Sequence, residues 1–124
     1  MTNADNPKEA EVCVRRGFVK FDLKDYAGSL EEFNKAIALN PNYPDAYCGR
    51  GLAKGRMNDW TGAIQEHTKA IELNSGYTTA YFRRAFARGK VGDSAGAKED
   101  FTKGMEVNPN SAEVYVERSL VKLS

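Results

Sequence analysis

Residues 25–41 read DYAGSLEEFNKAIALNP, residues 59–75 read DWTGAIQEHTKAIELNS, and residues 93–109 read DSAGAKEDFTKGMEVNP. Each segment begins 34 residues after the one before it. Asp25, Asp59 and Asp93 fall in one row, as do Gly28, Gly62 and Gly96, then Lys35, Lys69 and Lys103, then Asn40, Asn74 and Asn108. The same offset carries Ala36-Ile37 onto Ala70-Ile71 and Gly104-Met105, and Gly17 onto Gly51, Ala85 and Ser119. A fixed period of this length is the signature of a stacked-repeat protein. The units run over about 10–43, 44–77 and 78–111, and residues 112–124 begin a fourth. Residues 1–7 read as a flexible N-terminus and 8–124 as one domain.

Each unit holds two helical stretches. The first helices are expected near 8–22, 44–57, 78–91 and 111–123, and the second near 26–39, 60–73 and 94–107. Asn6-Pro7-x-Glu9 and Asn110-x-x-Glu113 are helix-start patterns. Asp25, Asp59 and Asp93 stand where a carboxylate can accept from orphan N–H groups of the second helices. Asn40-Pro41 and Asn108-Pro109 end them, because the residue before proline is pushed out of the α region. No alternating run suggests a strand. One helical hairpin cannot bury its apolar face alone, so neighbours must cover it. Gly17 and Gly51 weaken their helices, and their recurrence marks close helix–helix approach. The expected fold class is all-α, a solenoid of three helix–turn–helix repeats plus a C-terminal helix.

With these rows in place, the chain resembles the tetratricopeptide repeat family. The small row is Gly17, Gly51 and Ala85. The second-helix aromatic row is Phe33, His67 and Phe101, where His67 departs. The later small row is Ala36, Ala70 and Gly104. The turn proline is Pro41 and Pro109, with Ser75 departing. The first-helix aromatic is Tyr47, Tyr81 and Tyr115, with Cys13 departing. The resemblance implies a right-handed superhelix whose first helices line a concave groove. It also implies a protein-interaction module, without naming the partner.

Val14, Phe18 and Phe21 share one helical face. Their rows continue as Cys48, Phe82 and Val116, as Leu52, Phe86 and Leu120, and as Gly55, Gly89 and Leu123. By the resemblance these rows face the groove, which would leave Phe18, Leu52, Phe82 and Phe86 partly exposed. Such a patch marks an interaction site; the competing reading is that curvature buries these side chains against one another. Arg15, Arg56, Arg83 and Lys90 flank the stripe. The expected groove is therefore Val14, Arg15, Phe18, Phe21, Cys48, Leu52, Arg56, Phe82, Arg83, Phe86 and Lys90. Its expected ligand is a peptide with apolar anchors and acidic groups that arginine can grip. Gly49 and Gly55 also point to the groove, as a notch for a bulky partner group or as positions without a role. Some family members hold the acidic tails of heat-shock chaperones with a Lys/Asn, Asn, Lys/Arg clamp over three repeats. The matching positions here are Val14, Phe18, Gly49, Thr79 and Arg83, and only Arg83 fits. Weak or no binding of such tails is expected.

A second row, Arg16, Arg50, Arg84 and Arg118, runs parallel to Glu32, Glu66 and Asp100, which suggests ion pairs within each hairpin. The alternative is a phosphate-binding ladder, but these arginines do not share the groove face. Arg83, Arg84, Arg88 and Lys90 form a basic cluster, and RNA is the minor alternative it raises. The balance of 18 basic and 17 acidic residues argues against nucleic acid or an anionic membrane as the main partner. No stretch is long and apolar enough to span a bilayer, and the polar N-terminus is not a secretory signal, so a cytoplasmic protein is expected. His67 reads as a packed, hydrogen-bonded core group. Cys13 and Cys48 fall in different rows, so a bridge is not expected. No metal set, cofactor loop or nucleophile–base pair is present, and neither catalysis nor a cofactor is expected. A different class of reading is self-assembly: the last helix carries Val114, Tyr115, Leu120, Val121 and Leu123, an apolar face fit for a homodimer or for the rest of a longer repeat protein.

Overall fold

The computed structural model describes residues 7–109. They form six helices: α1 (Pro7–Asp22), α2 (Tyr26–Leu39), α3 (Pro44–Arg56), α4 (Trp60–Leu73), α5 (Thr78–Lys90) and α6 (Ser94–Val107). Among the described residues there is no strand. The C-terminal helix expected at 112–124, with Val114, Tyr115, Leu120, Val121 and Leu123, lies outside them.

Each second helix starts the same way. The Asp25, Asp59 and Asp93 carboxylates accept from the backbone N–H of Gly28, Gly62 and Gly96 at 2.9–3.0 Å. A Cβ on any of those glycines would lie 2.2 Å from the capping carboxylate. The Asp-x-x-Gly row is therefore one device: the cap satisfies orphan donors, and only glycine leaves room for it. The turn before each cap contains one residue with positive φ, namely Lys24, Asn58 and Gly92.

Each second helix ends at Asn40, Asn74 or Asn108 in a non-helical conformation, and its N–H donates back to the helix. Asn74 ends its helix as Asn40 does although Ser75 follows it, so proline is not required there. The side chains of Asn40 and Asn74 instead accept from Asn42 and Gly76 N–H, closing short Asx turns. Tyr47 and Tyr81 then donate to the carbonyls of Pro41 and Ser75 at 2.8 and 3.0 Å. That is why tyrosine recurs in this row.

α1 packs on α2, α3 on α4 and α5 on α6; α2 also packs on α3, and α4 on α5. The first helices α1, α3 and α5 touch one another along one side. One core cluster joins Cys13, Val14, Phe33, Ala36 and Ala46, and the next joins Tyr47, Cys48, Ala70 and Ala80. Among the described residues the chain is an α-solenoid in which α2 and α4 are each covered by the following repeat, as their apolar rows require.

The arginine row is a structural ladder in two of its rungs. Arg50 makes a bidentate pair with Glu66, and Lys54 adds a contact at 2.8 Å. Arg84 grips both oxygens of Asp100 at 2.9 and 2.7 Å, and Arg88 adds one at 2.8 Å. The spare nitrogens reach back one repeat, Arg50 to Asn34 at 3.0 Å and Arg84 to Thr68 at 3.1 Å. Each rung thus ties three helices. The first rung departs from expectation: Lys20, not Arg16, pairs with Glu32, at 3.0 Å. Arg16 is exposed. No described helix precedes α1 to give it the anchor that Asn34 and Thr68 give the later arginines.

Candidate functional site

The inner side of the stack divides the expected groove stripe in two. The row Val14, Cys48 and Phe82 is buried, with exposures of 5, 1 and 4 %. The expectation of a partly exposed Phe82 is thus corrected. Gly104 has no Cβ, so the Phe82 ring sits where that Cβ would lie, 2.7 Å away, and stacks beside Phe101 at 6.2 Å. Cys48 lies against Tyr77, whose hydroxyl shares hydrogen bonds with Cys48 and Asp45 and whose pKa is raised chiefly by burial. Val14, Cys48 and Phe82 form the wall behind the groove and do not line it.

The row one turn on, Phe18, Leu52 and Phe86, is the open one. Phe18 and Leu52 are half-buried and Phe86 is 53 % exposed. Phe18 meets the edge of Phe33 at 5.0 Å. Phe21 is half-buried, meets Tyr26 at 5.4 Å, and carries the Arg56 guanidinium over its ring at 5.7 Å. Arg15 is exposed, pairs with Glu11 at 3.9 Å and lies beside Val12 and Val19 on α1.

The glycines do not make a notch. A Cβ on Gly49 would lie 2.4 Å from the Phe33 ring, and one on Gly55 2.7 Å from the Trp60 ring. Both are buried seats for an aromatic ring of a second helix. Gly17 and Gly51 behave as expected: a Cβ on either would lie 2.7 Å from the Phe33 or the His67 ring.

One cleft opens among α3, α4 and α5. Gly51, Leu52, Trp60, Ala63, His67, Phe86 and Ala87 line it, Arg56 and Arg83 stand in its rim, and its volume is about 180 Å³. Trp60 and Phe86 meet edge-on at 5.6 Å, and Lys90 lies over both rings at 5.7 and 5.2 Å. Arg56, Arg83 and Lys90 are exposed, and none forms an ion pair with a described carboxylate. Sequence reasoning missed Trp60 as a groove residue. Its signal was an aromatic at the first position of α4, in the row of Tyr26, where a ring can fold over the open edge of the preceding first helix.

His67 is packed but not satisfied. It is 2 % exposed, and its Nδ1 has no hydrogen-bond partner. Burial, and then the Arg83 and Arg84 charges, push its pKa down to about 3. The unfolded chain therefore binds a proton near pH 6.5 that the folded chain refuses, and stability is expected to fall as pH drops from 6.5 towards 3. Between pH 6.5 and 4.5 this amounts to about 2 kcal/mol. Urea melts at the two pH values should show this loss in the wild type and not in His67→Phe; equal losses would refute it.

The expected basic cluster is also divided. Arg84 and Arg88 are held by Asp100 in the ladder, which leaves only Arg83 and Lys90 of the four on the groove side.

Comparison with known proteins agrees with this geometry. A TPR repeat family model matches residues 17–58 and a tetratricopeptide repeat model matches residues 78–111, together more than half of the chain. The chain belongs to the tetratricopeptide repeat family. The first such domain of Spaghetti (RPAP3), solved with the HSP90 peptide SRMEEVD, is similar at 27 % identity and a TM-score of 0.83, over 95 % of this chain and 94 % of that one. The tetratricopeptide domain of Arabidopsis OM64 is similar at 27 % identity and 0.84, over 96 % and 99 %. The second domain of human RPAP3, in complex with the HSP70 peptide SGPTIEEVD, is similar at 25 % identity and 0.81, over 94 % and 98 %. No curated protein sequence matches the chain. The tetratricopeptide repeat is a protein-interaction fold, and no helix among the described residues is long and apolar enough to cross a membrane.

Proposed function

We propose that this tetratricopeptide domain binds an extended peptide segment along its inner face, with an apolar side chain in the α3–α5 cleft and acidic groups on Arg56, Arg83 and Lys90. The observation that carries this is the pairing of an open apolar wall with three cations that no described carboxylate neutralises. An apolar cleft desolvates a partner's side chain, and unpaired guanidinium groups beside it take up carboxylates in bidentate fashion. Nothing in this chemistry requires bond-making in the ligand, so the role is binding and not catalysis.

The similar domains solved with SRMEEVD and SGPTIEEVD make short acidic peptides the natural comparison. The first half of this groove is unlike a carboxylate clamp. Val14 is buried, Phe18 is packed on Phe33, and Gly49 is a seat for that same ring. Of the five positions named above, only Arg83 carries the clamp's side chain. The proposed ligand is therefore acidic but is not such a tail. Calorimetric titration of the full chain with SRMEEVD is expected to give no saturable heat at concentrations where groove-selected peptides saturate; tight, salt-sensitive binding of SRMEEVD would contradict this. Selection of displayed random peptides on the full chain tests the main reading. Enriched peptides should combine an apolar residue with a neighbouring Asp or Glu and should lose binding to an Arg83→Gln, Phe86→Ala variant. Enrichment indifferent to that variant would overturn it.

A further inference from the structure

The face by which a first helix meets the preceding repeat is closed in α3 and α5 and open in α1. On α3 it carries Ala46 and Ala53, and on α5 Ala80 and Ala87, all 0–1 % exposed. Ala46 clusters with Ala36 of α2, and Ala80 with Ala70 of α4. A shift of 34 residues puts Val12 and Val19 in the same rows of α1. There they are 38 and 57 % exposed. Val12, Arg16 and Val19 stand at i, i+4 and i+7, so they share one side of the helix. With Arg15 and Lys20 they line an open recess. Valine in place of alanine thus adds apolar surface at the two positions left uncovered.

The polar part of this face is unfinished too. Arg50 and Arg84 each direct one nitrogen to a side-chain oxygen of the preceding second helix, Asn34 or Thr68, at 3.0 and 3.1 Å. Arg16 stands in their row, is exposed and has no partner among the described residues. Its neighbours are engaged, Arg15 with Glu11 at 3.9 Å and Lys20 with Glu32 at 3.0 Å. Glu32 keeps one oxygen unpaired, where both oxygens of Glu66 and of Asp100 are held. The first rung therefore lacks the contact across the repeat boundary that completes the other two. Three cations beside the valines favour a carboxylate as that contact over the neutral oxygens of the later rungs.

We infer that this face of α1 docks an acidic amphipathic helix of a partner protein, laid on α1 as α2 lies on α3. Small residues of the partner cover Val12 and Val19, and an Asp or Glu at the position of Asn34 takes Arg16. The interface continues the α2–α3 and α4–α5 contacts by one step of the repeat. It shares no residue with the α3–α5 cleft and is independent of the groove reading.

The test adds two helix-stabilised peptides to the full chain. Both carry the α6 sequence, residues 94–107, one with Thr102→Asp and the other with Thr102→Lys. Thr102 follows Asn34 and Thr68 in the acceptor row, and Gly104 follows Ala36 and Ala70, which leaves room for a valine. The Asp peptide should shift the Val12 and Val19 methyl signals saturably and bind about tenfold tighter than the Lys peptide at low salt. Added salt should narrow that difference, and Arg16→Gln should remove it. Val12→Gln, Val19→Gln should weaken the Asp peptide by about tenfold with helical circular dichroism retained, since both valines are exposed. Trp60, the one tryptophan of the chain, should keep its emission throughout. No saturable binding, equal affinity for the two peptides, or full binding by the folded double variant would each overturn the inference. A peptide that changes Trp60 emission sits in the groove instead and would overturn it too, while leaving the groove reading intact.

Discussion

Replacing Arg84 by leucine is expected to lower the stability of the chain by about 3 kcal/mol, more than replacing Arg84 and Asp100 together by leucine. Asp100 is only 3 % exposed, and both its oxygens are held by Arg84. With Arg84 gone, a buried carboxylate keeps Arg88 on one oxygen and nothing on the other. Thr68 also loses its link across the repeat boundary. Stranding one partner of a buried pair costs about 3–5 kcal/mol, and the remaining Arg88 places this case at the lower end. The double variant removes the stranded charge and substitutes apolar packing, so it should recover about 1 kcal/mol or more. Thermal and urea melts of the two single variants and the double variant check this through the coupling energy. Strict additivity would show that the ladder is surface decoration.

Gly49→Val is expected to cost about 3 kcal/mol, although valine is the better helix residue of the two. A Cβ there would lie 2.4 Å from two carbons of the Phe33 ring. The ring has little room to retreat, because it is fully buried and also lies where a Cβ on Gly17 would be, 2.7 Å from that position. Overpacking of a closed core costs about 1–3 kcal/mol, and a β-branched side chain cannot turn away from the contact. Gly89→Ala supplies the opposite sign. Nothing lies within 4 Å of that Cβ, so the helix gains up to about 1 kcal/mol and nothing opposes it. Chemical denaturation of both variants reads the two effects directly; a stabilised Gly49→Val would mean that the ring seat is not closed.

The 34-residue period made the fold legible because each row answers one structural demand. Among the described residues, Asp caps with their glycines, asparagine ends and the small residues Gly17 and Gly51 came out where the rows put them. The groove was legible only in part. Periodicity places Val14, Phe18 and Phe21 on one face, but a face says nothing of depth. The Gly104 vacancy draws Phe82 into the core, and Tyr77 covers Cys48, so one row became wall and the next row became surface. Trp60 and His67 were harder to read. Trp60 belongs to a second helix and reaches the groove over the end of α3. His67 departs from its aromatic row, and that it is packed like Phe33 yet leaves Nδ1 without a partner is visible only in three dimensions.

Trp60 makes the central claim measurable in one titration. A selected peptide with an apolar residue beside an acid should change Trp60 emission saturably in the wild type. The change and the affinity should both be lost in Arg83→Gln, Phe86→Ala. Binding that leaves Trp60 emission unchanged, and that the variant retains in full, would contradict the inner groove as the binding face.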